Sequence, residues 1–452
     1  MKTGSSSPPP QKESRKRKRT GGRKAKREEL KKGKGRRDGA SPETSACLAR
    51  EPRKHLLCSM SPSLPDDLIP DILLRVPPDD PAGLVRASAV CKAWRRIVTD
   101  LSFSTRYRAI HRTAPVLGFL HNPMEQEARR FVPTTSFRLP TPDHPMRHVW
   151  DCRHGRVLLY DYDMRSPTPG FVVWDPITGD RHRIPEVADM YTNGAVVCTA
   201  GGGCDHRSCS GGPFIVAFAG VEHINVFGDI NYLDAHAEFY SSETRNRGLN
   251  INIHLEYEKF DLEVDRPAVL VGDSLYFVCK SGFLLRYWYG PLLQLGYKKM
   301  LEAGIYSSEI VTVIEPPKAK NLGKVIAMMA EDGGLGLASL RRNKISLWAR
   351  KTGMDGHAGW VRHRTIDLKR LLPLSNPKRQ LCLSGVIPEN ANVIFVSTED
   401  GVFTIDLKSS QSRKVSEMGN DVKIIYPFVS FYTETLLQRL PSSTLPASEG
   451  KL

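Results

Sequence analysis

The hydrophobic pattern of this chain has two textures. Between Ser63 and Asp100 it reads SLPDDLIPDILLRVPPDDPAGLVRASAVCKAWRRIVTD, with apolar residues at helical spacing. Leu68 and Ile72 lie four apart, as do Ile69 and Leu73, and Val76 follows Leu73 by three, which predicts a helix with a wide apolar face. Asp66 is placed to cap it, its first turn tolerates Pro70, and Pro77-Pro78 ends it. DDPAG is a turn, and a short helix carrying Leu84 and Val85 follows. A third amphipathic helix sets Val90, Trp94, Ile97 and Val98 on one side and Lys92, Arg95 and Arg96 on the other. FSTRYRAIHRTAP continues the helical part, and Pro-rich links lead out of it.

From about Trp150 the texture changes to short β-type segments between turn residues. GRVLLYDYD, FVVWD and RHRIP are separated by SPTPG and PITGD. The rhythm of strand, turn, strand recurs in VLVGDSLYFVCKSGFLLRYWYG from Val269, in KVIAMMAEDGGLGLASLRRNKISLWAR from Lys324 and in NVIFVSTEDGVFTIDL from Asn392. FIVAFAG and HAEFYSS fit it more loosely. Recurring antiparallel units of this kind predict a β-propeller or a related sheet array. The spacing is irregular: Gly282 to Gly333 is 51 positions and Gly333 to Gly401 is 68. Neither paired kelch glycines nor repeated Trp-Asp signatures occur, so the pattern leaves the blade number open.

Length fits this division, since 452 residues accommodate one small domain and one large one. A hydrophobic content of 40% with 25% charged residues suits a soluble globular chain. No apolar run approaches the roughly 18 residues of a membrane span, and the longest, Phe214 to Val221, reads as a buried strand. The Lys/Arg-rich start has no apolar stretch after it, which argues against a secretory signal. Nine scattered cysteines without a repeating framework favour a reducing, intracellular compartment.

Charge separates a third region. The first sixty residues hold 19 Lys/Arg against 6 Asp/Glu, so most of the net +16 lies there and the body is nearly neutral. Repulsion and scarce apolar groups predict a disordered tail over 1–60. Arg15, Lys16, Arg17, Lys18 and Arg19 form a candidate nuclear-import cluster, with a second at 23–37. The tail has no aromatic residue on which a base could stack, which weakens a nucleic-acid reading.

Three helices in about forty residues enclose a very small core. Two large apolar faces exceed what that core needs, and the excess predicts a partner surface, where each well-buried Leu or Ile contributes roughly 1.5–3 kcal/mol. The ordered set LPDDL, ILLRVPP and LVRASAVCKAWRRIV resembles the F-box. A DDPAG linker stands where a more apolar Ser-Leu linker is common. The resemblance implies docking to a Skp-type adaptor and, through it, to the cullin and RING subunits of an SCF-type ubiquitin ligase. Its implied adaptor-contact residues are Leu64, Pro65, Leu68, Ile69, Ile72, Leu73, Val76, Pro77, Leu84, Val90, Cys91, Trp94 and Ile97, with Trp94 shared with the module's own core. The later segments, including VVWDPITGDRHRIP and YPFVSFYTE, resemble the F-box-associated domains of plant proteins.

The expected fold is therefore α+β and multidomain. A three-helix module at 61–112, a transition at 113–149 and a large all-β, propeller-like target-binding domain at 150–435 lie between the basic tail and a second disordered tail at 436–452. The expected function is non-catalytic recognition of a target protein, in nucleus or cytoplasm, without cofactor or membrane. The alternative is a nuclear nucleic-acid- or chromatin-associated protein that uses its basic tail.

Candidate chemistry is sparse. Cys198, Cys204, His206 and Cys209 supply enough soft ligands for tetrahedral zinc, but the C-x5-C-x-H-x2-C spacing has no second pair at the usual distance. A structural loop is the favoured reading there, with zinc the minor one. Gly201 to Gly203 and Gly333-Gly334 lack the GK[ST] of a phosphate loop. Neither GxSxG nor HExxH occurs, and the group His144, His148, Asp151 and His154 has no nucleophile beside it. Trp288, Tyr289 and Trp360 are candidate exposed aromatics, with packing between blades the favoured fate.

Overall fold

The computed structural model describes residues 65, 67–122, 131–139, 147–161, 170–185, 191–200, 204, 206, 209, 211–226, 230–248, 251–255, 266–280, 282–291, 294, 299–300, 302–319, 322–354, 356–376, 381–387, 390–419 and 422–431. The basic tail, with the Arg15–Arg19 cluster, and the closing segment 436–452 lie outside them.

Four helices come first: α1 (Ile69–Leu74), α2 (Pro81–Ser88), α3 (Lys92–Val98) and α4 (Leu101–His111). Their boundaries follow local chemistry. Pro81 opens α2 at a first-turn position, where its missing N–H costs nothing. The Cys91 sulfur accepts from Trp94 N at the start of α3, and the Asp100 carboxylate accepts from Ser102 N at 2.8 Å at the start of α4. Leu68, not Asp66, stands at the cap of α1, and Asp66 is outside the described residues.

All-β structure follows, in six sheets among the described residues. Blade I joins Val116–His121 and Val132–Pro133 to Ile425–Val429 from the far end of the chain. Blade II is Arg147–Arg153, Arg156–Asp161, Gly170–Trp174 and Arg181–Arg183, and blade III is Asn193–Cys198, Phe214–Val226, Ile230–Ser241 and Ile251–Leu255. Blade IV is Val269–Val271, Ser274–Val278, Leu284–Trp288 and Val311–Ile314. Blades V and VI are Lys324–Met329, Leu335–Arg341, Lys344–Thr352 and Ala358–Asp367, then Cys382–Ile387, Asn390–Thr398, Gly401–Asp406 and Ser412–Ser416. Every pairing between these strands is antiparallel, and all but the one that closes blade I join sequence neighbours. The fold is a six-bladed β-propeller, with its ends fastened by that closing strand.

Continuous packing between blades closes the ring. Leu117, Tyr426 and Phe428 meet Val149 and Trp174 between blades I and II, and Trp150, Leu158 and Phe171 meet Val196 and Phe218 between II and III. Ala195 and Ala217 meet Leu275 and Phe277 between III and IV. One large core runs through IV, V and VI, and Phe119 and Ile425 return to Phe395 and Val402 between VI and I. A polar tie crosses the inner strands as well. Asp151 and Arg153 form a fully buried ion pair at 2.7 Å, Val196 N donates to Asp151 at 2.9 Å, and Arg153 donates to the Ala268 carbonyl. Blades II, III and IV are joined there, which gives Asp151 a structural role.

Two expectations change. Residues 113–149 hold blade I's Val116–His121 and Val132–Pro133, so the propeller starts before Trp150. Blade I was hidden because one of its three strands is supplied more than 300 positions away. The irregular glycine spacing also has a reason. Gly282 and Gly401 lie in second-to-third-strand turns, whereas Gly333, at φ +80°, turns the first strand of blade V into its second. The two intervals thus compared unlike places in the blades.

The meander fixes two faces. With the first strand of each blade innermost, first-to-second and third-to-fourth connections open on one face. Second-to-third and blade-to-blade connections open on the other. In blade I the innermost strand is Ile425–Val429, so its exit at Phe431 and the start of Val116–His121 lie on the first face. The helical module is attached there.

Candidate functional site

The helical module spends most of its apolar residues on itself. Ile69, Leu73, Leu74, Leu84, Val98, Phe103 and Tyr107 are buried together, and Val76, Val85, Trp94 and Ile97 pack half-buried around them. Phe431, from the last described position of the chain, completes this core, with its ring edge-on to Tyr107 at 6.2 Å. Tyr107 donates its hydroxyl to Val76 O at 2.8 Å, and burial and the nearby Asp79 and Asp80 raise its phenol well above the ordinary range, which keeps that proton in place. His111 bonds Leu74 O at 2.9 Å. α1 is thereby tied to α4, and the module to the ring.

What remains outside is short and apolar. Leu68 and Ile72, one turn apart on α1, are 47% and 44% exposed, and Val90 between α2 and α3 is 64% exposed. Pro65, Pro77 and Cys91 are also exposed. Leu101 and Ile110 on α4 are exposed as well, and leaving so many large aliphatic side chains in water on so small a unit forgoes several kcal/mol, at roughly 25 cal/mol per Å².

A cleft of about 370 Å³ lies on the opposite face of the ring, between blades IV and V. Val278, Cys279 and Gly282 line it from one turn and Pro316, Pro317 and Leu322 from the next. Arg266, Lys280 and Lys324 bring three cationic side chains to it.

The family model described as "F-box domain" matches residues 61–106. The chain carries an F-box. No curated protein matches the chain significantly. Among solved structures, similarity is seen to the WD40 domain of SCAP from fission yeast, at 13% identity and TM-score 0.30 over 63% of this chain and 58% of that one. It is seen also to BamB from Moraxella catarrhalis, at 12% identity and TM-score 0.24 over 57% of this chain and 56% of that one. The chain thus spans just over half the length of these structures.

The thirteen residues expected at the adaptor contact separate on the F-box. Pro65, Leu68, Ile72, Pro77, Val90 and Cys91 face solvent, Val76, Trp94 and Ile97 are half-buried, and Leu64 is outside the described residues. Ile69, Leu73 and Leu84 turn inward. Helical periodicity gave α1 one wide face, and α4 and Phe431 cover half of it. Phe431 was not legible as part of this module, because nothing in a single aromatic residue beyond the last strand points 360 positions back. The three cations of the cleft carried no local signal either.

The Cys/His segment connects the first and second strands of blade III. Cys198 and Cys204 sulfurs are 3.7 Å apart, Cys204 and Cys209 are 3.5 Å apart, and Cys209 Sγ lies 3.6 Å from His206 Nδ1. All four ligand atoms fall within 4.8 Å of one another. His154 stacks on the His206 ring at 4.5 Å and accepts from Cys198 N at 3.3 Å. Hydrogen bonding with Cys209 lowers the Cys198 thiol, and the same bond with burial raises Cys209. The structure thus assembles a set the sequence spacing did not favour.

The three candidate aromatics do not form a free surface. Tyr289 is buried, Trp288 donates to Asp273 at 2.8 Å, and Trp360 donates to Glu315 O at 2.8 Å. Among the described residues no helix is long and apolar enough to cross a membrane.

Proposed function

We propose that this chain is the substrate-recognition subunit of an SCF-type ubiquitin ligase. Its F-box docks a Skp-type adaptor, which brings cullin and RING subunits, and its propeller holds the target. The observation that carries this reading is the exposure of Leu68, Ile72 and Val90 together at the α1 and α2–α3 positions of an F-box whose core is otherwise closed, with Leu101 and Ile110 exposed separately on α4. The mechanism is positional. Holding a target beside activated ubiquitin raises the effective concentration of its lysines, and transfer chemistry belongs to other subunits. Phe431 makes the tether short and stiff, since it belongs to the ring's chain and the F-box core alike.

The face opposite the F-box is the proposed target face. Its cleft, with Arg266, Lys280 and Lys324, favours an acidic target segment. The Arg15–Arg19 cluster is proposed to direct nuclear import.

Capture of the purified chain by a purified Skp-type adaptor tests the reading. Ile72→Asp is expected to abolish capture while leaving the circular dichroism spectrum unchanged, because the side chain is exposed. Undiminished capture by that variant removes the adaptor-docking role. Lys280→Glu with Lys324→Glu is expected to spare adaptor capture and weaken capture of the target.

A further inference from the structure

We propose that Cys198, Cys204, His206 and Cys209 form a structural zinc site in blade III, independent of the ligase reading. The metric argument comes first. Zinc binds thiolate sulfur at about 2.3 Å and imidazole nitrogen at about 2.0–2.1 Å, so tetrahedral edges are about 3.75 Å between sulfurs and about 3.5 Å from sulfur to nitrogen. The three edges at 3.7, 3.5 and 3.6 Å match these values. They are far too long for a disulfide, whose sulfurs sit about 2.05 Å apart.

Charge supplies a second, independent argument. Arg156 is 4% exposed and has no ion-pair partner among the described residues. Its guanidinium donates to the Cys209 and Gly212 carbonyls, the latter at 2.5 Å, and Nη1 has no hydrogen-bond partner. A buried cation without a counter-charge is costly. Three thiolates, one neutral imidazole and Zn²⁺ carry a net charge of −1, which offsets it. Binding is balanced by protons: Zn²⁺ displaces one from each of three thiols, and the imidazole binds as the neutral base.

Anchoring completes the case. Thr199 N bonds Pro213 O at 3.1 Å, closing the base of the connection, and Gly212 N bonds Cys209 O at 3.2 Å. Four protein ligands leave no open position, so the site is structural rather than catalytic. It fastens the first-to-second-strand connection of blade III on the face that also carries the helical module.

Full-length protein purified with zinc is expected to hold about one ion per chain, by elemental analysis. Replacement by Co²⁺ is expected to give intense tetrahedral d–d bands and a sulfur-to-metal charge-transfer band. Cys204→Ser and His206→Asn should each lose most of the metal, whereas Cys382→Ser, remote from the cluster, should keep it. Alkylation of the native chain guards against misfolded variants: three cysteines are expected to be protected with zinc and to react after chelation. A folded wild-type chain that binds no zinc, keeps its cobalt bands in Cys204→Ser, shows a disulfide within the cluster, or reacts equally before and after chelation overturns the proposal.

Discussion

The F-box and the propeller solve the problem of burial in opposite ways. The propeller is self-sufficient: each blade covers its neighbours, blade I is closed by the end of the chain, and the cores run round the ring. The F-box is not. Its core takes in Phe431 from the ring's last segment, and Leu68, Ile72 and Val90, with Leu101 and Ile110 on α4, are still left outside. A unit that cannot cover its own face has that face open to another chain, as the proposed adaptor docking requires. A closed ring presents turns and clefts instead, and the proposed target site is such a cleft, lined by Lys280 and Lys324 among others.

The largest test of this contrast falls on the ring. Asp151→Ala leaves Arg153 buried without its carboxylate and removes the acceptor of Val196 N. Loss of one partner of a buried pair costs about 3–5 kcal/mol. Urea unfolding is expected to show the propeller transition displaced by that amount. A change below about 1 kcal/mol would mean that water reaches the pair and that the ring is held by apolar packing alone.

Phe431→Ala sharpens the boundary between the two regions. Truncating a buried Phe costs about 3–5 kcal/mol, and here the loss falls on the F-box core. Hydrogen exchange should speed up in α1 and α4 while the inner strands of blades III to V stay protected. Equal acceleration in those strands would show one cooperative unit and break the division drawn above.

Legibility in the sequence divides along the same line. The F-box was readable because its information is local: Leu68, Ile72 and Trp94 lie within 27 positions, and their order is the signal. Blades II, IV, V and VI were partly readable from strand-turn-strand rhythm. Blade I was not, because Val116–His121 pairs with Ile425–Val429 and no window spans both. The Cys/His set was visible as a composition, but whether its spacing converges depends on where Phe214–Val226 returns beside Asn193–Cys198. Pairings set by tertiary closure leave no periodic trace.

A paired substitution on α1 reads the two sides of one helix. Ile69→Ala, on the buried side, is expected to destabilise the F-box by about 2–4 kcal/mol. Leu68→Ala, on the exposed side, should change stability by less than about 0.5 kcal/mol yet weaken adaptor binding about tenfold or more, read by calorimetry. If both variants lose stability and neither loses binding, the exposed face of α1 is not a docking surface.

The smallest expected effect lies on α2. Arg86 pairs with Asp80 at 2.7 Å, but the side chains are 69% and 45% exposed, so solvent screens most of the attraction. An exposed pair of this kind contributes about 0–1 kcal/mol. Arg86→Ala should therefore leave both the unfolding midpoint and adaptor capture close to wild type. The substitution is informative because Arg86 stands in the ordered set that carries the F-box likeness while pointing away from the buried core. A tenfold loss of capture without a loss of stability would extend the docking surface from the aliphatic side chains of α1 onto the polar side of α2. The F-box would then be recognised by charge as well as by its uncovered apolar face.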